Sequence, residues 1–163
     1  MSSDLYAIIR LRGRVNVPHD VEYTLKLLRL HKKFHLVIYP RNTPGIEGML
    51  QKVKDWVCWG EISCETLVEL LRRRGRLVGG RKLDDEAAAI VLKNYGLEGG
   101  VLELAKAICE GKIILHKDKL LKPVFRLAPP RGGFKGSIKK PFGNNGETGY
   151  RGREIDSLIR KMI

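Results

Sequence analysis

The 163-residue sequence predicts an α+β fold, and three observations carry that reading. Residues 1–60 alternate strand-like and helix-like patterns in the order β-α-β-α-β. Residues 61–122 show helical periodicity with little strand signal. Residues 123–163 return to a strand, pass through a glycine-rich basic run and end in a short amphipathic helix. We read these stretches as a core, a mostly helical insertion and a C-terminal segment.

Residues 5–12 (LYAIIRLR) are rich in strand-forming side chains and end at Gly13, which makes them a first strand. Asn16-Val17-Pro18-His19-Asp20 supplies turn chemistry and helix-start residues. Val21, Leu25 and Leu28 then recur at helical spacing, with Leu27 and Leu30 widening the apolar stripe. Lys32 and Lys33 stand where cations favour a helix C-terminus. Residues 35–39 (HLVIY) form a second strand, stopped by Pro40.

Thr43-Pro44 has the chemistry of a helix entrance, with Thr as N-cap and Pro at the first helical position. Ile46, Met49, Leu50 and Val53 mark the buried face of that helix. Gly45 and Gly48 each cost a helix interior about 1 kcal/mol, which predicts a close approach there that compensates. Residues 55–59 (DWVCW) form a third strand closed by Gly60, completing a small open-faced sandwich.

In the insertion, Ser63 caps a helix that runs through Leu71, with Arg72-Arg73-Arg74 in its basic last turn and Gly75 as its stop. Residues 84–95 carry acids in a first turn and Gly96 after the last, and residues 101–109 form a further helix ended by Gly111. A strand is expected near 112–116, and residues 123–127 (PVFRL) form the last one.

The formal net charge is +13, an excess that repels itself in a compact chain and calls for a polyanionic partner. Residues 123–163 hold nine Lys+Arg against three Asp+Glu, so a quarter of the chain supplies +6. Between 131 and 153, seven glycines alternate with Arg131, Lys135, Lys139, Lys140, Arg151 and Arg153, and Glu147 is the one acid. Such a segment lets backbone approach phosphates while supplying guanidinium forks and point charges. Phe134, Phe142 and Tyr150 are spaced to stack on unpaired bases. Arg10, Arg12 and Arg14 alternate at the end of the first strand, where period two puts three guanidinium groups on one side. The partner this pattern implies is RNA, and the segment is expected to thread between RNA helices and to order on binding.

Other function classes are excluded residue by residue. No apolar run approaches the roughly 18 to 20 residues of a spanning helix, and no basic n-region precedes an apolar stretch at the N-terminus. No two glycines stand two positions apart, so there is no G-x-G-x-x-G turn. Gly111-Lys112 is followed by Ile113, so there is no P-loop. Cys58, Cys64 and Cys109 are too few and too irregular for a disulfide framework and read as small buried thiols in a reducing cytoplasm. Cys58 and Cys64 lack a nearby His to complete a zinc site. His19, His31, His35 and His116 join no nucleophile motif, and Asp84-Asp85-Glu86 are first-turn acids, not a metal cluster. No metal, cofactor or small-molecule substrate is expected. The rival classes are an RNA-modifying or RNA-processing enzyme with a basic surface, and a free-standing DNA- or RNA-binding regulator.

The order strand, helix, HLVIYP, NTPGIEGMLQKVKDWVCWGEI resembles the large-subunit ribosomal protein thirty family, whose eukaryotic counterpart is numbered seven. Thr43-Pro44 through Gly48-Met49 is similar to that family's Thr-Pro-x-x-x-Gly-Met helix start. Residues 104–111 (LAKAICEG) and 124–133 (VFRLAPPRGG) resemble the longer archaeal and eukaryotic branch, and the lack of a long basic N-terminal extension points to the archaeal type. The resemblance implies an antiparallel, loosely ferredoxin-like sheet and a structural, non-catalytic role in the cytoplasmic ribosome. It also implies binding to large-subunit rRNA near the 5S rRNA, beside neighbouring ribosomal proteins. Carried onto this chain, it implies RNA contacts at Arg12, Gly13 and Arg14, at Arg41, along Arg131, Gly132, Gly133, Phe134 and Lys135, and at Arg151 and Arg153 of the closing Gly-Tyr-Arg-Gly run.

Overall fold

The computed structural model describes residues 2–163, with side chains from residue 4 onward. Met1 and the side chains of Ser2 and Ser3, on which the N-terminal reading partly rests, lie outside the described residues. Strand β1 (Ser2–Arg10) lies in the middle of a six-stranded sheet. Its even and odd residues are both apolar, so it can be central only if both faces of the sheet are covered. Tyr6 and Ile8 enter one core and Leu5, Ala7, Ile9 and Leu11 the other.

Helix α1 (His19–Leu27) carries Asp20 and Glu22 in its first turn and Lys26 in its last, matching the helix dipole at both ends. Val21 and Leu25 are buried as expected, whereas Leu27 is exposed and does not widen the stripe. Strand β2 (His35–Pro40) pairs antiparallel with β1. Helix α2 (Ile46–Val53) starts later than the Thr43-Pro44 pattern predicts. Thr43 Oγ1 donates to the Pro40 carbonyl at 2.7 Å and so does not cap the helix. The chain turns instead through Gly45 at φ +77°, a left-handed conformation that glycine adopts without strain. No atom approaches the positions a Cβ would take at Gly45 or Gly48, so the expected close contact is absent there.

That close contact is at Gly60. Strand β3 (Val57–Ser63) continues through Gly60 and is not closed by it. A Cβ at Gly60 would lie 1.9 Å from the Gly152 carbonyl oxygen, so the glycine admits a neighbouring chain. Helix α3 (Cys64–Arg74) follows directly, capped by Ser63, whose hydroxyl accepts from Thr66 N–H at 3.2 Å. Gly75 ends it in an extended conformation. Its lack of a side chain is needed because a Cβ there would meet Leu71 O at 2.4 Å.

Helices α4 (Asp85–Lys93) and α5 (Val101–Cys109) complete the insertion. Leu67, Leu70, Ala88, Val91, Leu104 and Ile108 join the same core as β1, so these helices cover the face expected to be open. Cys64 and Cys109, read above as unpaired thiols, are joined by a disulfide between the ends of α3 and α5, with their Cα atoms 6.1 Å apart. Cys58 is the free, buried thiol, its pKa pushed up to about 12 by burial. The strand expected near 112–116 is a 3₁₀ turn at Leu115–Lys117. The outer edge of β2 is taken by strand β4 (Val124–Arg126), which leaves that segment no partner.

The glycine-rich segment is not a free tail. Strands β5 (Ser137–Pro141) and β6 (Gly146–Tyr150) extend the sheet beyond β3, giving the order β4-β2-β1-β3-β6-β5. The first four of these positions are antiparallel as expected, but β6 runs parallel to β3 and β5 parallel to β6. After β4 the chain crosses along helix α6 (Ile155–Met162), with Ala128 and Arg131 N–H donating to the Met162 and Lys161 carbonyls. It therefore enters the far edge from the end where β3 begins, which sets the parallel direction.

Arg10 is fully buried and belongs to the framework, not to a guanidinium-bearing surface. Its Nε donates to the Arg12 carbonyl at 2.8 Å and Nη1 to Leu30 at 2.7 Å. Nη2 lies 3.2 Å from the Gly13 carbonyl and 3.3 Å from Glu22 Oε2. One side chain thus ties the loop after β1 to the end of the α1 connection. Replacing Arg10 with Met leaves these acceptors unpaired and should lower stability by about 3–5 kcal/mol in urea unfolding. Gly60→Ala should cost about 1–3 kcal/mol by overpacking against Gly152, read as a fall in thermal midpoint.

His35 is buried at the start of β2, and its Nδ1 has no hydrogen-bond partner. Burial, then the charges of Arg126, His31, Lys32 and Arg10, hold its pKa down to about 4. The unfolded chain binds the proton near pH 6.5 and the folded one does not. This contribution to stability is complete above that pH and is lost as pH falls towards 4. His35→Gln should flatten the decline in unfolding free energy between pH 7 and 5.

Candidate nucleic-acid interface

The strand register gathers the basic residues at one end of the sheet. Arg10 pairs with Val57 and His35 with Arg126, so β1 and β4 end where β2 and β3 begin. Cys58 pairs with Gly149 in the parallel direction, so β6 also starts at this end. The loop after β1, the chain entering β2, the last residue of β4 and the glycine-rich approach to β5 are therefore neighbours, although the first two and the last two come from opposite ends of the sequence.

Arg12 is half-buried with its guanidinium 3.8 Å from the Trp56 ring centroid, a stacked position that leaves its edge available to an anion. Arg14 is exposed beside it. Of the three alternating arginines, only Arg12 and Arg14 reach the surface. Lys32 and Lys33 are exposed, and Lys33 Nζ stands 5.0 Å from the Phe34 ring. Phe134 packs on Phe34 with centroids 6.1 Å apart, which brings Lys135 to the same end. Sequence reasoning missed Lys32, Lys33 and Arg126. The lysines were assigned to a helix C-terminus, but α1 stops at Leu27, so the dipole does not account for them. The doublet directly before a strand was the usable signal.

The glycine-rich segment adds a cavity of about 400 Å³ whose lining includes Phe134, Lys135, Phe142, Arg151 and Lys161. Arg151 is buried here and ion-paired, not displayed: its Nη2 lies 2.7 Å from both Glu147 Oε2 and the Glu147 carbonyl, and its guanidinium stands 4.6 Å from the Phe142 ring. Its Nε has no partner. The pair offsets much of each partner's charge and acts as a strut for β6. Tyr150 donates to the Glu61 carboxylate at 2.7 Å, which holds its phenol above the usual range. Lys139 and Lys140 are exposed on the edge strand β5, where lysines also deter pairing with other chains.

Arg131 is exposed, with Nη2 donating to the Arg160 carbonyl at 2.9 Å, and it shares an open groove with Arg153, Arg160 and Lys161 and with the acids Glu154 and Asp156. Gly132 and Gly133 follow it, both at positive φ. Arg41 stands apart from all of these. It lies at the other end of the sheet, 3.8 Å from Asp4 and 3.9 Å from Glu61, with its guanidinium 5.6 Å from the Tyr6 ring. Two acids already engage it, so the structure does not bring it to the basic end.

His116 packs on Tyr39 with ring centroids 4.6 Å apart, and burial lowers its pKa, whereas His19 and His31 are exposed. Among the described residues, no group of three or more His, Cys, Asp or Glu could hold a metal ion, and no helix is long and apolar enough to cross a membrane.

Residues 6–57 match the family model described as ribosomal protein L30p/L7e. The chain is 65% identical to the large ribosomal subunit protein uL30 of Staphylothermus marinus over 98% of this chain and 99% of that protein. It is 64% identical to the uL30 of Hyperthermus butylicus over 98% and 90% of the two chains, and 51% identical to that of Nanoarchaeum equitans over 98% and 99%. Both the β-α-β core and the longer C-terminal half fall inside these matches, and the chain belongs to the ribosomal protein L30p/L7e family.

Proposed function

We propose that this protein is a structural constituent of the large ribosomal subunit, working in the cytoplasmic ribosome. It holds large-subunit rRNA, near the 5S rRNA and beside neighbouring ribosomal proteins, and catalyses no reaction. The observation that carries the RNA contact is the convergence of Arg12, Arg14, Lys32, Lys33 and the Phe134–Lys135 stretch on one end of a rigid sheet. Gly13 and the Gly132-Gly133 pair keep side chains out of the way where backbone meets phosphate. Lys139, Lys140, Arg131 and Arg153 extend the cationic surface along β5 and the α6 groove.

Arg10 and Arg151 support this surface from inside without touching RNA, and Arg41 is left out of it. The folded β5 and β6 replace the expectation of a tail that orders on binding: the segment meets RNA as a formed platform, so less ordering entropy opposes association.

With about six phosphates neutralised, log K against log salt should fall with a slope near −4 to −5, at roughly 0.7–0.9 per phosphate. Filter binding to large-subunit rRNA across a salt series measures it, and a slope near zero removes the reading. Arg131→Ala with Lys135→Ala should weaken binding and leave the unfolding free energy within about 1 kcal/mol of the unmodified protein, as expected at exposed positions. Unchanged affinity would take that stretch out of the interface.

A further inference from the structure

A second cationic site lies at the opposite edge of the sheet, built from residues that the reading above leaves unused. Arg74 at the end of α3, Arg76 beyond it, Lys122, and Arg126 on β4 line a cleft of about 310 Å³ together with Gly80 and Val124. Four cations share this space and no acid lines it. None of the four makes an ion pair among the described residues. Elsewhere on the molecule, exposed cations such as Arg81, Lys52 and Arg160 do have acids within 4 Å.

The cleft is held in shape by backbone, not by its charged side chains. Lys122 N–H donates to the Arg76 carbonyl at 2.9 Å, Val78 N–H donates to Leu120 at 2.7 Å, and Leu77 bridges Leu121, with both leucines buried. Arg126 is fixed by its pairing with His35. Gly79 and Gly80 turn the hairpin tip at positive φ, leaving the rim bare where a ligand's backbone would pass. Like charges gathered on a rigid frame repel one another, and a polyanion relieves that repulsion without any rearrangement. Three of the four are arginines, whose forked donors match the two free oxygens of a phosphodiester.

We propose that this cleft is a second RNA-backbone site, gripping phosphates of a different RNA segment from the one on the glycine-rich edge. The proposal rests on the RNA-binding reading above. The sheet order separates β4 from β5 by five strand spacings, about 24 Å at ~4.8 Å each. One short stretch of backbone cannot occupy both edges, so the protein ties two RNA segments together. The basic last turn of α3 thereby acquires a ligand through Arg74.

The test uses the full-length protein, large-subunit rRNA and hydroxyl-radical footprinting, with salt-dependent filter binding alongside. Two variants divide the cleft: Arg74→Gln with Arg76→Gln, and Lys122→Gln with Arg126→Gln. Thermal melts confirm that each folds. If the cleft holds about two phosphates, neutralising it reduces the salt slope by roughly 1.4–1.8. Protection is then lost at an RNA segment that the Arg131→Ala, Lys135→Ala protein still protects. Changing Arg74, Arg76 and Arg126 to Lys keeps the charge and should keep the slope.

Unchanged slope and footprint in both Gln variants overturn the proposal while leaving the first RNA surface standing, even if a protein neighbour is lost. Loss of the same RNA segment in the cleft variants and in the Arg131, Lys135 variant overturns the two-segment arrangement. Failure of the unmodified protein to bind rRNA overturns both readings at once.

Discussion

Strand β1 is buried on both faces, and the rest of the molecule follows from that requirement. Ile8 and Ile9 are adjacent in sequence, point to opposite sides of the sheet and are both fully buried. At ~1.5–3 kcal/mol for each large aliphatic side chain, neither face can be left wet. Helices α1 and α2 cover one side, which leaves the other to be supplied from later in the chain. The insertion and α6 fill it, with Leu67, Leu104 and Ile159 entering the same cluster as Ile9. The helical insertion is therefore half of the core and not an appendage to a finished sandwich.

Closing both faces directs charge to the rims. A three-layer body with apolar faces inside has its strand ends and sheet edges as the natural surfaces for a large cationic excess. Arg10 makes the basic rim at the end of β1 rigid. By spending its donors on the Leu30, Arg12 and Gly13 carbonyls and on Glu22, it holds the β1 loop so that Arg12 can stack on Trp56 and Arg14 can stand free. A buried guanidinium costs desolvation, which is offset here because it meets carbonyls and a carboxylate together. Arg151 does comparable work for β6 through Glu147. Two of the residues most readily taken for RNA ligands are thus what keeps the platform in shape.

The glycines divide in the same way. Gly60 is small because Gly152 passes over it, which lets the C-terminal segment dock beside β3. Gly132 and Gly133 have open space around the Cβ position and sit at positive φ on the surface. A glycine-rich run is therefore compatible with a folded edge of the sheet. The segment supplies its own strands, and its glycines mark where chain meets chain or where it turns.

By itself the sequence determined the β-α-β-α-β order, the cap at Ser63, the strand at β4 and the polyanion partner, because these rest on local periodicity, capping chemistry and net charge. It overstated Thr43 as a cap and misplaced the end of β3, since both depend on what a neighbouring segment requires. Nothing in the local pattern distinguishes Arg10 from Arg12, or Arg151 from Arg153; burial is a property of the assembled layers. The same holds for Cys64 and Cys109, which meet only once α3 and α5 pack. Tertiary structure alone decided that Lys32, Lys33 and Lys135 share one rim and that Arg74, Arg76, Lys122 and Arg126 line a cleft. Periodicity sets which way a side chain points along its own element, whereas the neighbours that a charge acquires across the fold are set by strand register and crossing direction.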